Sequence, residues 1–226
     1  MFRFPAKHEV PEFTIYASLL RMTTKYGFSD VRDQLIKDVK GAYPSKWEVY
    51  QVAEVLGEDV FGLPKPHPNA VLNLFEEQRI RFALPFAAYR ASIGGFSALM
   101  SDTPDTVLPR RTLATTTQGM HSVRTFMGQA ARMIVYEGNL GVCADRGCAL
   151  SVGINPVGQR AGVLKKLHRA MSHFERDGGG LGPLALEPLV CAKCTRDIQA
   201  LHTVWRSECW ERLPSMFLVA QSWGEM

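Results

Sequence analysis

Long hydrophobic runs are missing from this 226-residue sequence. Its most apolar stretches, "FALPFAAY" among them, fall far short of the ~20 residues a helix needs to cross a bilayer, so no membrane span is expected. The opening "MFRFPAKHEV" contains no apolar h-region, so a secretory leader is not expected either, and the cytoplasm or nucleus is the anticipated compartment. Charge of one sign is scarce: the formal net charge is only +4. Its basic residues are spread over Arg110, Arg111, Arg124, Arg132, Lys165, Lys166 and Arg169 rather than set among aromatic or amide readers. Nucleic acid is therefore not expected as a partner. Catalytic patterns are absent as well. There is no Gly-x-Ser-x-Gly, no His-Glu-x-x-His and no paired carboxylate in an apolar setting, so no enzymatic activity is expected. The glycine-rich "DGGGLGP" runs into Pro183 and an extended "LALEP" rather than a helix, which marks it as a linker and not a phosphate loop. Cysteine is sparse and odd in number, at five residues. In a reducing compartment that argues against a disulfide framework and leaves metal binding or burial.

What the sequence does have is helical periodicity. Ile15, Leu19, Met22 and Tyr26 recur at the spacing of one helix face. Gly27 stops that helix, and Ser29 or Asp30 is placed to cap a second one carrying Val31, Leu35 and Val39. "KWEVYQVAEVLG" predicts a third through Val49, Val52, Ala53 and Leu56, ended by Gly57. The proline-rich "GLPKPHPNA" reads as an extended connection, and two short helices follow, with Pro85 in the first turn of the second. "SIGGFSALMSDTPDTVLP" reads as an exposed, turn-rich loop. Beyond it, "HSVRTFMGQAARMIVYEG" predicts an amphipathic helix with Val123, Phe126, Met127, Ala130 and Ile134 on one face. Another is predicted over 160–176, and a last one carries Ile198, Leu201, Trp205 and Cys209 up to Pro214. With no strand ladder, the expected class is mostly α: an irregular helical domain of about seven to nine helices with little or no sheet.

Four of the cysteines form two short-spaced pairs. Cys191-x-x-Cys194 has the spacing that lets two thiolates chelate one ion, and Cys143-x4-Cys148 is a looser pair with Gly141 and Gly147 to bend its backbone. Structural zinc sites are commonly assembled from two such pairs, so Cys143, Cys148, Cys191 and Cys194 are the candidate zinc ligands. The competing reading is that both pairs pack as small hydrophobes. Thioredoxin-like redox work needs a strand before the Cys-x-x-Cys motif, and none is predicted. His202 and Cys209 lie downstream on the same helix as substitute ligands, yet both share its apolar stripe with Ile198 and Trp205, which favours burial. His168 and His173 are five apart and point away from each other on a helix.

"YASLLRMTTKYGFSDVRDQLIKDV" resembles the closing helices of BTB/POZ domains as found in basidiomycete fungi. "RIRFALPFAAYRAS" is similar to the family's LP-x-A-x-YR segment, and "VCAKC" with "WERLPSMF" to its C-terminal Cys-x-x-Cys and W-x-x-LP-x-x-F. Cys143 and Cys148 fall where these proteins often carry another cysteine pair. The resemblance implies a remnant of BTB closing helices over residues 1–60 and a C-terminal helical domain with two cysteine pairs over 61–226. The strand-rich half that precedes such helices in the family is expected to be missing. It also implies a non-enzymatic protein–protein interaction or scaffold role: self-association, recruitment of repressors or bridging to cullin-type ligases. Other proteins are the expected partners, with self-association through residues 12–40 if nothing covers Ile15, Leu19 and Met22. The alternative is a zinc-stabilised, nucleic-acid-associated regulator.

Overall fold

The computed structural model describes residues 12–56, 66–101, 103–136, 143, 148, 165 and 191–226. Several expectations fall outside them: the 60/61 boundary, the stop at Gly57, most of the helix over 160–176 with His168 and His173, and the glycine-rich linker. The protein is mostly α. Among the described residues there are eight α-helices and no strand.

Helices α1 (Phe13–Tyr26) and α2 (Ser29–Ala42) form a hairpin. Gly27 closes α1 in the left-handed region at φ 71°, which glycine adopts without strain. Helix α2 starts at Ser29 itself, and the residue before it, Phe28, offers no side-chain cap. The hairpin is held by the buried Tyr16 hydroxyl, which donates to the Leu35 carbonyl. The apolar stripe expected along one face of α1 is turned largely outward. The side chains turned into the protein are Tyr16, Ala17, Leu20 and Thr23, whereas Ile15, Met22 and Tyr26 are 53%, 51% and 58% exposed, and Leu19 is half-buried. The reason lies in the neighbours. Arg21 forks onto the Glu77 carboxylate at 2.8–3.0 Å, Thr24 donates to Gln78 Oε1 at 2.7 Å and Arg32 to the Gln78 carbonyl at 3.1 Å. These polar ties fix the roll of the hairpin on the chain at Glu77 and Gln78.

Helix α3 (Trp47–Leu56) turns Trp47 and Tyr50 inward and leaves Val49, one member of the expected stripe, exposed. Helix α4 (Pro68–Glu77) begins where the prolines end. His67 caps it by accepting the Asn69 N–H at 3.2 Å, and Pro68 occupies the first turn, where its missing donor costs little. Asn69 and Asn73, one turn apart, then reach outward. Asn69 Nδ2 donates to the carbonyls of Ala98, Leu99 and Thr106 at 3.1, 3.3 and 3.1 Å, and Asn73 Nδ2 to those of Asp105 and Val107 at 3.2 and 3.0 Å. The stretch expected as an exposed loop is therefore pinned. It contains a short helix, α6 (Gly95–Leu99), and buries Leu99, Thr106 and Leu108. Between them α5 (Leu84–Ile93) has Pro85 in its first turn and runs through the core.

Helix α7 (Arg110–Tyr136) starts well before the predicted His121. Its first turns are rich in threonine. Thr112 and Thr116 are buried, and Thr112 donates to the Glu76 carboxylate. Helix α8 (Ala192–Met216) packs against α7 more extensively than any other described pair of helices. Gly119 faces the Phe217 ring so closely that a Cβ there would lie 2.1 Å from it. Farther along, the Phe126 ring is 5.6 Å from that of Trp205. Positions rise along α7 as they fall along α8, so the two run antiparallel. This brings the C-terminal end of α7 beside the N-terminal end of α8.

Candidate metal centre

The antiparallel pairing explains how residues far apart in sequence meet. Cys143 and Cys148 follow α7, while Cys191 and Cys194 open α8, so both pairs come from the same end of the helix pair. The four thiol sulfurs all lie within 4.8 Å of one another. Cys143 Sγ is 3.5 Å from Cys191 Sγ, well beyond a disulfide bond, and none of the four cysteines is in a disulfide. Four sulfurs at ~2.3 Å from one ion would sit about 3.8 Å apart along the edges of a tetrahedron. The cluster is already close to that size. Cys143, Cys148 and Cys194 are buried and Cys191 is half-buried, so three members of the cluster are screened from water and Cys191 borders it.

Local backbone geometry contributes as much as the side chains. Cys191 is the N-cap of α8, with extended φ −65° and ψ 159°, and its backbone N–H donates to Cys148 Sγ at 3.5 Å. The Cys194 backbone N–H lies in the first turn, beside the Cys191 sulfur. It draws the Cys191 thiol down to about 7, helped by the sulfurs of Cys143, Cys194 and Cys148 and opposed by partial burial. Cys194 goes the other way. Burial first, and then the neighbouring sulfurs, push its thiol far above the ordinary range. Without an ion, then, one thiolate forms readily and a second beside it is costly. A cation at the centre reverses that cost, and so the set can bind a metal.

No protein-family model matches the chain, and no curated protein or solved structure does. The site must be read from its own chemistry. All four predicted ligands come together, and the two substitutes stay out of the cluster. Cys209 is fully buried among the core aromatics, and burial holds its thiol up at about 12. His202 is 4% exposed, and burial, with the charge of Arg206 second, lowers it to about 4. Sequence reasoning did not anticipate the backbone N–H groups of Cys191 and Cys194, because their aim depends on the non-helical conformation of the N-cap.

His202 leads to a prediction about pH. Its folded-state value lies below the ordinary ~6.5, so folding favours the neutral ring. That contribution is complete above about pH 6.5 and is lost as pH falls towards 4, because the unfolded chain then takes up a proton that the folded one refuses. The loss is about 2 kcal/mol at pH 5. Thermal melting at pH 7.5 and pH 5 should show the wild type losing roughly 5 °C more than His202→Gln. Equal losses in the two proteins would refute this.

Proposed function

We propose that this protein is a non-enzymatic helical interaction module of BTB type, clamped by one zinc ion, that binds other proteins and itself through the outer face of α1. The observation that carries this reading is the stripe of Ile15, Met22 and Tyr26, continued at the turn by Phe28, each more than half exposed on a helix whose opposite face is fixed in place. Isolated apolar side chains are ordinary on a surface, but a contiguous row along one helix is a feature of contact faces. The similarity of residues 16–39 to BTB closing helices points the same way. The metal reading rests on four thiols gathered within 4.8 Å of one another, a donor set that suits zinc best among common divalent ions. With four thiolates bound, zinc has no open position and supplies a cross-link rather than chemistry. Among the described residues no helix is long and apolar enough to cross a membrane.

The test is self-association. Sedimentation equilibrium should show a concentration-dependent dimer for the wild type. The pair Ile15→Glu and Met22→Glu should be monomeric with unchanged helix content, since neither side chain is in the core. A wild type that stays monomeric at high concentration, and binds no partner through this face, would defeat the reading. A second reading, association with nucleic acid, draws on Arg110, His121 and Arg124, which line a shallow groove on α7 together with Phe96 of α6. A gel shift that weakens steeply with salt would favour it.

A further inference from the structure

We propose that Cys191 is an oxidant-reactive modification site: a peroxide joins Cys191 to Cys143 as a disulfide, expels the metal and frees the start of α8. This rests on the metal reading given above, and three further observations carry it. First, Cys191 is the one member of the cluster that is not buried; Cys143, Cys148 and Cys194 all are. A small oxidant in solvent therefore meets the Cys191 sulfur first. Second, Cys143 Sγ stands 3.5 Å from it, so a bond of about 2.05 Å requires the sulfurs to close by only ~1.5 Å. Third, Cys191 can make that movement without unwinding a helix. It sits outside the first turn with extended backbone angles, and its one helical bond is the carbonyl that accepts the Thr195 N–H at 2.9 Å. Cys194, the other neighbour, is within the first turn with its side chain buried.

The chemistry balances. In the metal site both sulfurs are thiolates. The Cys191 thiolate attacks one peroxide oxygen, the O–O bond breaks, and hydroxide leaves, giving a sulfenic acid. The Cys143 thiolate then attacks that sulfur, the S–O bond breaks, and a second hydroxide leaves. Two sulfurs have lost two electrons, the peroxide has gained them, and two protons from solvent turn the hydroxides into water. The ion keeps only Cys148 and Cys194, half of the ligands that a closed structural site requires.

The experiment uses the full chain as purified, with its metal content measured first. Hydrogen peroxide is added in the presence of a chromogenic zinc chelator, the remaining thiols are alkylated, and the peptides are mapped by mass spectrometry. Loss of two of the five thiols, a Cys143–Cys191 disulfide, release of the ion in step with it and recovery of both thiols by a reductant are expected. Metal that stays bound with all thiols intact, or a first disulfide that omits Cys191 or joins it to Cys194, overturns the proposal. Absence of metal at the outset counts against the metal reading alone, and the mapping still decides the pairing.

Discussion

A chelator is expected to lower the melting temperature of this protein by roughly 10 °C if the four thiols hold the proposed ion, and Cys194→Ser is expected to do the same without a chelator. An ion held at 1,000 times its dissociation constant stabilises the folded chain by about 4 kcal/mol, and a chain of this size melts a few degrees lower for each kcal/mol lost. The loss should also be local. The cluster fastens the first turns of α8 to the segment after α7, so amides near Thr195 and Ile198 should exchange faster with solvent while those around Phe75 and Tyr89 keep their protection. If the thiols are instead four small hydrophobes, Cys194→Ser should cost only ~1 kcal/mol, and a chelator should do nothing. Melting curves with and without chelator, read beside hydrogen exchange, separate the two.

Trp210→Ala is expected to be the most damaging single change outside the cluster. The indole is fully buried and stacked between the rings of Tyr50 at 4.6 Å and Trp223 at 5.4 Å, with Phe86 at 5.1 Å and Trp47 at 6.1 Å. Its Nε1–H donates to the Ser45 carbonyl at 3.2 Å, and its own carbonyl accepts from Trp223 Nε1 at 2.9 Å. Truncation removes the side chain on which α3, α5, α8 and the C-terminal turn all rest. Emptying such a site costs on the order of 3–5 kcal/mol, and the Ser45 carbonyl left without its donor adds about 1 kcal/mol or more. Urea unfolding should show that loss, with the near-ultraviolet circular dichroism of the aromatic cluster collapsing first. Trp210→Phe should keep part of the stacking and lose about half as much. A Trp210→Ala protein as stable as the wild type would mean that the core does not depend on this cluster.

Much of the architecture was legible because buried side chains repeat at the helical period. Helices α1, α2, α4, α5 and α8 and the latter half of α7 fall where the periodicity puts them. The orientation of a helix about its own axis was less legible. Helix α1 offers two acceptable stripes, Ile15–Leu19–Met22–Tyr26 and Tyr16–Leu20–Thr23, and hydrophobicity alone favours the first. The second is chosen by a tyrosine hydroxyl reaching Leu35 and by Arg21 and Thr24 reaching residues more than fifty positions away. The early turns of α7 were hidden for a related reason. Thr112, Thr116 and Gly119 are modest helix formers in isolation, and they are helical here because Glu76 and Phe217 lie against them. For the thiols, spacing identified the four members, and the antiparallel turn of α7 onto α8 supplies their meeting point. Cys209, chemically identical, lies on the buried side of the same helix but about four turns farther along it, ~22 Å from Cys194 along the axis, and so stays out of the cluster.

The protein carries four tryptophans, and all of them are on α8, packed against it or in the turn that follows it. The α1–α2 hairpin has none. Intrinsic fluorescence is consequently a built-in optical gauge of one helix. Events that loosen α8, whether loss of an ion or oxidation of its first residues, will shift the emission towards the red as indoles meet water. Association and dissociation at the outer face of α1 will leave that emission dark to the change. One cuvette measurement thus distinguishes disturbance at the thiol end of α8 from traffic on the outer face of α1.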